Sequence, residues 1–303
     1  MKKLNLSVII FTSNSASVIE RAIKSASSAD EIIVFDSGST DDTVKIAKKH
    51  TKNVIQIQFI PYVEPQREQA LTHATHEWVL FLDADEEAPE NLEEMVTYAQ
   101  ERNVVVNIPR KNMIFGKWIE HSGYWPDRHP RLFKKGSVIW HTEIHSKPTI
   151  NAEIYNVPAI ENNALIHHHY TSVTEWILRM DRYTSVKVKE LQDVPFVWTS
   201  VLTAPLAEFL RRYFAWEGYK DGLHGLVIAL LDAVYSLMIA LKQWEMIKFA
   251  EPQESVTLTR VEKEFLALQK ELGYWFREIA LKSAKNTSEK ILMRLKQKIR
   301  TSL

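Results

Sequence analysis

The chain has 303 residues, of which 45% are hydrophobic and 25% are charged, the composition of a globular protein with one large domain and an appendage. Lysine plus arginine and aspartate plus glutamate balance at 38 each, which argues against a nucleic-acid partner, because no overall positive field exists to attract one. The absence of cysteine excludes a disulfide framework, a thiolate nucleophile and a cysteine-based zinc site.

Short apolar runs alternate with amphipathic segments in the first part of the chain. The run after Met1 begins like a signal peptide but lacks a small-residue cleavage site, so we interpret it as a strand. Strands are predicted at 6–11, 31–35, 54–60 and 78–82, and helices at 18–26, 44–47 and 66–74. This alternation predicts an α/β fold with a doubly wound, mostly parallel sheet.

The last of these strands, Trp78–Leu82, ends in a cluster of acidic residues. Ligands of open α/β sheets bind at the carboxyl ends of strands, where Asp83 and Asp85 lie. In an extended chain residues i and i+2 point the same way, so both carboxylates can address one divalent cation that keeps sites open for phosphates. The alternative is a solvated acidic loop, with Glu86 and Glu87 near the N-terminus of the next helix.

A second polar turn, Asp36-Ser37-Gly38-Ser39-Thr40, also follows a strand and precedes a helix. Backbone N–H groups and small hydroxyls in such a turn can hold a nucleotide. The alternative is an ordinary turn in which Thr40 or Asp41 is the helix N-cap.

Several motifs in register resemble the inverting family-2 glycosyltransferases. They are the stretch 7–14, the turn at 36–43, Gln66-Arg67 and the acidic stretch 83–86. Later motifs are similar to those of the bacterial lipopolysaccharide-core β-glucosyltransferase branch; they lie at 116–118, 124–127, 131–136, His167, 181–183 and 221–225.

The resemblance implies a nucleotide-diphosphosugar transferase fold of the GT-A type and a bound divalent cation, Mn²⁺ or Mg²⁺. It also implies roles around the nucleotide sugar. Thr12 and Asn14 would border the nucleotide, Asp36 would accept a hydrogen bond from the base, and Arg67 would lie near the base or the diphosphate.

The same resemblance implies a metal site. Asp83 would face the ribose or the metal, and Asp85 would be the metal ligand. His167 would contact the metal or the diphosphate, whereas the rest of the histidine triplet, at a strand end with alternating faces, receives no role.

Inverting transfer requires a base that deprotonates the acceptor hydroxyl. The related enzymes usually have a glutamate at the position of Ser146, and that glutamate would be the first choice for this base. Either Glu143 has taken the role, or Asp127 in its aromatic setting carries it, or the activity is altered. For both carboxylates the alternative is an ion pair without a catalytic role.

The pattern turns helical from Thr171, and we predict a catalytic domain at 1–204 and a helical region at 205–303. An apolar segment, Leu223–Leu241, is near the lower length limit for a spanning helix, but Asp232 would cost a few kcal/mol at the centre of a bilayer. We therefore predict a helix that lies in the membrane interface, with a homodimer interface as the alternative. Lys282–Leu303 predicts a basic amphipathic helix suited to anionic lipid, or a solvated terminal helix.

Together these features predict an enzyme that transfers a hexose, with inversion, from a nucleoside-diphosphate sugar, such as a UDP-sugar. The acceptor would be a hydroxyl of a glycolipid or envelope glycan such as lipopolysaccharide core, and the enzyme would lie at the cytoplasmic face of the inner membrane. One alternative is a transferase to a polyprenyl-phosphate acceptor. Another, kept open by Ser146, is a catalytically weakened scaffold that binds nucleotide sugar.

Overall fold

The computed structural model describes residues 3–60, 63–141, 147–252 and 254–283. The strands are β1 Leu6–Thr12, β2 Glu31–Ser37, β3 Asn53–Ile57, β4 Trp78–Asp83, β5 Glu86–Glu87, β6 Val105–Ile114, β7 Lys117–Trp118, β8 Asp127–Lys134, β9 Val138–Ile139, β10 Thr149–Ile150, β11 Ile154–Asn156 and β12 Leu165–Tyr170. The α-helices are α1 Ile19–Ser25, α2 Thr43–Ala47, α3 Glu64–Leu71, α4 Leu92–Arg102, α5 Val173–Glu190, α6 Ser200–Leu210, α7 Leu223–Met246 and α8 Leu258–Ser283.

The chain forms two compact units. The first comprises Met1–Glu120 and Tyr124–Thr171, and the second comprises His121–Gly123 and Ser172–Leu303. The boundary predicted from sequence, after residue 204, falls inside α6.

The first unit is built on a large mixed sheet with the order β3-β2-β1-β4-β8-β6-β12-β5, and β7 and β11 also pair with β6. The four strands β3, β2, β1 and β4 are parallel, whereas β8 runs antiparallel to both of its neighbours. The predicted α/β fold is thereby confirmed. Its parallel half consists of the four strands that were predicted from the sequence.

Apolar residues on both faces of the sheet explain why it is covered on two sides. In β1, Val8 and Ile10 belong to one buried cluster, and Ile9 and Phe11 belong to another. Successive side chains of a strand point to opposite faces, so a continuous apolar run requires cover on both.

Strand register brings the polar strand ends together. Thr12 on β1 lies opposite Asp36 on β2, and Phe11 lies opposite Asp83 on β4. The chain then turns at Ala84, whose N–H donates to the carbonyl of Phe11 at 3.0 Å, and continues as β5, which pairs antiparallel with β12. The extended conformation expected through Asp85 therefore ends at Asp83.

The second unit is helical within the described residues. Within α7, Asp232 is 3.1 Å from the guanidinium Nε of Arg212, which compensates the charge of this mid-helix carboxylate. One side of α7 is exposed and apolar: Leu223 is 73% exposed, Leu230 50% and Val234 41%. Of the helices in the described ranges, α7 alone is long and apolar enough to cross a membrane, a test that core helices of soluble proteins also pass.

Candidate active site

The predicted nucleotide contacts Thr12, Asn14 and Asp36 lie together at the carboxyl ends of β1 and β2. Asn14 has a φ of 48°; its side-chain oxygen accepts from the N–H of Thr40 at 2.8 Å, and its own N–H donates to Ser39 Oγ at 2.8 Å. Asp36 is fully buried and accepts from the N–H of Ser39 at 3.1 Å and from the Ser39 hydroxyl. The Thr12 hydroxyl is buried and has no hydrogen-bond partner among the described residues. The two turns therefore form one preassembled polar edge.

Arg67, on α3, lies beside this edge with its guanidinium stacked on the ring of Trp140 at 4.2 Å. Burial, with a further contribution from the charge of Arg131, lowers the pKa of Arg67 to about 10. The side chain is therefore still a cation at neutral pH. Its buried Nε has no hydrogen-bond partner in the part of the chain that the structure describes.

The remaining polar side chains lie on one face of three neighbouring strands. Asp127, His129 and Arg131 occupy alternate positions of β8 and therefore share that face. In β6, Arg110 lies opposite Asp127, and Asn112, two residues on, lies opposite His167 of β12. Strand alternation and register are the reason that residues far apart in sequence meet.

Five charged side chains form a continuous row of ion pairs, which we call the charged chain: Asp83, Arg131, Glu86, Arg110 and Asp127. Arg131 Nη2 donates to Asp83 at 2.7 Å and to Glu86 at 2.9 Å. Arg110 donates to Glu86 from Nη1 at 3.4 Å and to Asp127 from Nε at 2.8 Å. The Glu86 side chain has no solvent exposure, and its second oxygen accepts from the N–H of Asp83 at 3.0 Å. Within these five side chains, the carboxylates and guanidiniums thus compensate one another's charge.

The charged chain determines the protonation of its two end carboxylates. Burial raises the pKa of Asp127, but the hydrogen bond from His129 and the charge of Arg110 outweigh it and hold the pKa well below its usual range. Burial also raises the pKa of Asp83, and the charges of Arg131 and Arg67 lower it overall. Both groups are carboxylates at neutral pH. A strongly lowered pKa makes Asp127 a weak proton acceptor, and its contacts are those of the ion-pair alternative.

Asp85 and His167 face each other on the other side of the acidic turn. Asp85 Oδ2 is 3.7 Å from His167 Nε2. The pairing of β5 with β12 brings the two together, and the backbone N–H of His168 donates to the carbonyl of Asp85 at 2.9 Å. His167 is 5% exposed, and its Nδ1 is 2.6 Å from the side-chain oxygen of Asn112.

The other two histidines of the triplet have different surroundings. His168 Nε2 lies 2.6 Å from a carboxylate oxygen of Glu87, whereas the ring of His169 stacks on that of His167 at 4.6 Å. The alternation of faces expected for a strand end is present.

The donor set at Asp85 and His167 fits a divalent cation that also binds phosphates. No three His, Cys, Asp or Glu side chains in the described ranges form a group that could hold a metal ion by themselves. One carboxylate and one imidazole are, however, a sufficient protein contribution for a cation that takes its other ligands from water and a diphosphate. A separation of 3.7 Å is short enough for both atoms to bind the same ion.

Several residues of the site were given no role from sequence. Glu86 was placed in the alternative interpretation near a helix N-terminus, but it is a buried strand residue that holds two arginines. For Arg110 and Asn112 the sequence indicated no functional role; it showed only that they occupy alternate positions in a polar stretch of β6. The predicted base Glu143 and the departure at Ser146 lie outside the described residues, as does most of the basic stretch Lys282–Leu303.

The fold and this polar edge define an α/β protein whose site lies at the carboxyl ends of its strands. Residues 7–156 match the family described as Glycosyl transferase family 2. The chain therefore carries a family-2 glycosyltransferase domain, and the protein is a glycosyltransferase, as the motifs predicted.

Two curated relatives cover most of this chain. The lipopolysaccharide core biosynthesis glycosyltransferase LpsC of Rhizobium meliloti is 27% identical over 260 residues, 80% of this chain and 93% of the relative. An uncharacterised glycosyltransferase of Rickettsia typhi is 29% identical over 247 residues, 77% of this chain and 84% of the relative.

Similarity to solved structures is lower. Residues 1–349 of Staphylococcus aureus TarS are 18% identical with a TM-score of 0.40, over 85% of this chain and 95% of that one. Glucosyl-3-phosphoglycerate synthase from Mycobacterium tuberculosis, in complex with Mn²⁺ and UDP-glucose, is 26% identical with a TM-score of 0.29, over 37% of this chain and 44% of that one.

Proposed function

We propose that this glycosyltransferase transfers a hexose, with inversion, from a nucleoside-diphosphate sugar to a hydroxyl of a glycolipid or envelope glycan. The observation that carries the proposal is the position of Asp85 and His167 on the same sheet edge as Thr12, Asp36 and Asp83. Such an edge accommodates a nucleotide at one end and a cation with a diphosphate at the other. The lipopolysaccharide core role in the name of the Rhizobium relative supports the acceptor class.

In the proposed complex, Asp36 and the Thr12 hydroxyl bind the nucleoside, and Arg67 offers its cation to the base or the diphosphate. Asp85 and His167 hold Mn²⁺ or Mg²⁺. When bound, this ion neutralises charge that develops on the diphosphate leaving group. Asp83 is oriented by Arg131, so its second oxygen can accept from a ribose hydroxyl.

Glu143 is the proposed base. The low pKa of Asp127 supports this choice, because a base that has so little affinity for a proton gives little help to a hydroxyl attack. Asp127 instead holds Arg110 and His129 in place through direct hydrogen bonds.

A donor screen tests the proposal. Nucleotide sugars are added with and without Mn²⁺, and binding is followed by the rise in apparent thermal stability, which mass action requires of any ligand of the native state. Transfer of the hexose to the acceptor hydroxyl, with release of the nucleoside diphosphate and an inverted anomeric configuration by NMR, is the expected result. Binding without turnover would instead support the nucleotide-sugar-binding scaffold, and turnover only with a polyprenyl phosphate would support the second acceptor class.

The exposed side of α7 supports a peripheral location at the cytoplasmic face of the inner membrane. Leu223, Leu230 and Val234 present apolar surface, while Arg212 compensates Asp232 within the unit. Salt does not screen apolar burial, whereas it screens attraction of the basic C-terminal stretch to anionic lipid.

The cysteine-free chain allows this location to be tested with single labels. An environment-sensitive fluorophore on Leu230→Cys should shift to the blue with neutral and anionic vesicles, at low and high salt. The same label on Glu262→Cys, an exposed position of α8, is the control and should not respond. A shift that follows protein concentration without vesicles would assign this surface to a homodimer.

A further inference from the structure

The side-chain amide of Asn112 has one orientation in its hydrogen-bond network. Its Nδ2 faces two acceptors, the carbonyl oxygen of Tyr124 at 2.9 Å and Asp127 Oδ2 at 3.3 Å. Neither acceptor has a hydrogen to offer, since one is a carbonyl and the other is a carboxylate held ionised by its partners. The amide nitrogen therefore belongs on that side, and the amide oxygen faces His167.

This orientation determines the tautomer of His167. The Asn112 oxygen is an acceptor only, and it lies 2.6 Å from His167 Nδ1. The hydrogen bond requires the ring hydrogen on Nδ1. In the neutral ring Nε2 then carries the lone pair, and this is the atom that faces Asp85 Oδ2 at 3.7 Å.

We propose that Asn112 is a positioning residue for Asp85 and His167. It holds His167 as the Nδ1–H tautomer, with the Nε2 lone pair directed at the space between that ring and Asp85. In this tautomer Nε2 can bind a cation without first losing a hydrogen, so the ring is preorganised for a cation that Asp85 also binds. The inference deepens the proposed function and rests on it for the identity of that cation. Hydrogen-bonding partners on the far nitrogen of a metal-binding histidine act in this way in general.

Burial makes this control effective. Asn112 is 1% exposed and His167 is 5% exposed, so their hydrogen bond meets little competition from bulk water. Asn112 also connects the two ends of the site, since the same amide that faces His167 donates to Asp127.

The test compares three variants. Asn112→Leu removes both hydrogen-bonding groups at similar volume. Asn112→Asp keeps an oxygen that can accept from His167 Nδ1. Asn163→Leu is the matched control, because Asn163 is also a buried asparagine of the first unit, bonded to Asn91 and to the carbonyl of Pro158.

The first readout is the ring ¹⁵N spectrum of the metal-free protein at a pH at which His167 is neutral, with the signals assigned through His167→Gln. We expect the wild type, Asn163→Leu and Asn112→Asp to carry the hydrogen on Nδ1. Asn112→Leu should gain a population with the hydrogen on Nε2. A wild-type ring protonated on Nε2, or an unchanged tautomer in Asn112→Leu, would overturn the proposal. The wild-type spectrum decides this even if Asn112→Leu does not fold.

The second readout is Mn²⁺ affinity in the presence of UDP, measured by electron paramagnetic resonance. Loss of an outer hydrogen-bonding partner typically costs 10–100-fold in metal affinity, so we expect a fall of about that size in Asn112→Leu and none in Asn163→Leu. A shifted tautomer with unchanged Mn²⁺ affinity would contradict the positioning role. If the wild type binds no Mn²⁺, the proposed function fails, while the ring spectrum still decides whether Asn112 sets the tautomer.

Discussion

Asp83 and Asp85 are two residues apart in sequence, yet they lie in different surroundings. Asp83 is held by the guanidinium of Arg131 at 2.7 Å, inside the charged chain. Asp85 lies beyond the turn and faces the imidazole of His167 at 3.7 Å. Asp83 is thus oriented by a buried cation. Asp85 lies where one added cation can bind both its carboxylate and the ring of His167. We therefore expect the two acids of one motif to have different roles.

The largest effect is expected at Asp85, the proposed metal ligand. Asp85→Ala should lower transfer about a thousandfold or more, because a bound cation contributes several kcal/mol to the stabilisation of charge in the transition state. The free energy of unfolding should change by less than about 1 kcal/mol. Turnover and Mn²⁺-dependent UDP binding are the measurements.

Glu87→Gln is the control for this variant, since Glu87 lies nearby and pairs with His168 and Arg21. It should retain most of the activity. Wild-type turnover in Asp85→Ala would contradict a metal-binding role for Asp85 that Asp83 does not share.

Glu86 tests the charged chain. Glu86→Gln should lower the free energy of unfolding by about 1–3 kcal/mol, because Arg131 and Arg110 lose the buried carboxylate that they share and keep only Asp83 and Asp127 as partners. Urea unfolding measures the change. Glu161→Gln removes the exposed partner of Lys111 and should cost no more than about 1 kcal/mol. Equal losses of unfolding free energy in the two variants would mean that the ion pairs of Glu86 stabilise the fold no more than a surface ion pair does.

The proton acceptor can be located by comparing two variants. Glu143→Gln should lower kcat about a hundredfold with little change in donor affinity, and it should remove the acidic limb of the pH–rate profile. Asp127→Asn should keep that limb, because the low pKa of Asp127 leaves it ionised throughout. If Asp127→Asn removes the limb and Glu143→Gln does not, the roles exchange.

The smallest effect concerns acid stability. The pKa of Asp83 is lowered in the folded protein, so its charge stabilises the fold above the unfolded value of about 3.9, and this contribution is lost as the pH falls below it. In Asp83→Asn the free energy of unfolding should fall less steeply there, by at most about 1.4 kcal/mol per pH unit. Asp42→Asn, an exposed carboxylate, is the control. An unchanged slope in Asp83→Asn would contradict its place in the charged chain.

The parallel half of the sheet could be predicted because its strands are continuous apolar runs that end in polar turns. β4, for example, begins at the predicted Trp78 and extends one residue beyond the predicted end, to Asp83. The family resemblance assigned Thr12 and Asp36 to the same nucleotide, and the parallel pairing of β1 with β2 sets the two residues opposite each other.

The other half of the sheet, which mixes parallel and antiparallel pairs, could not be predicted in the same way. β8 and β6 are polar on one face, and the charges of Asp127, Arg131 and Arg110 obscure their strand character. The turn at Ala84 was also missed, because local sequence does not reveal that β5 pairs with a strand some eighty residues later, β12. The contact of Asn112 with His167 depends on the register of β6 with β12, which motif analysis does not reveal.

The turn that carries Asp85 is anchored on both sides. Ala84 donates its N–H to β1, and the carbonyl of Asp85 accepts from β12. Ordering a backbone residue costs about 1–2 kcal/mol of conformational free energy. Because folding already orders this turn, binding of the nucleotide sugar does not have to order it. Product release then requires little rearrangement of this turn, so we expect slow amide hydrogen exchange at Ala84 and His168 both with and without nucleotide.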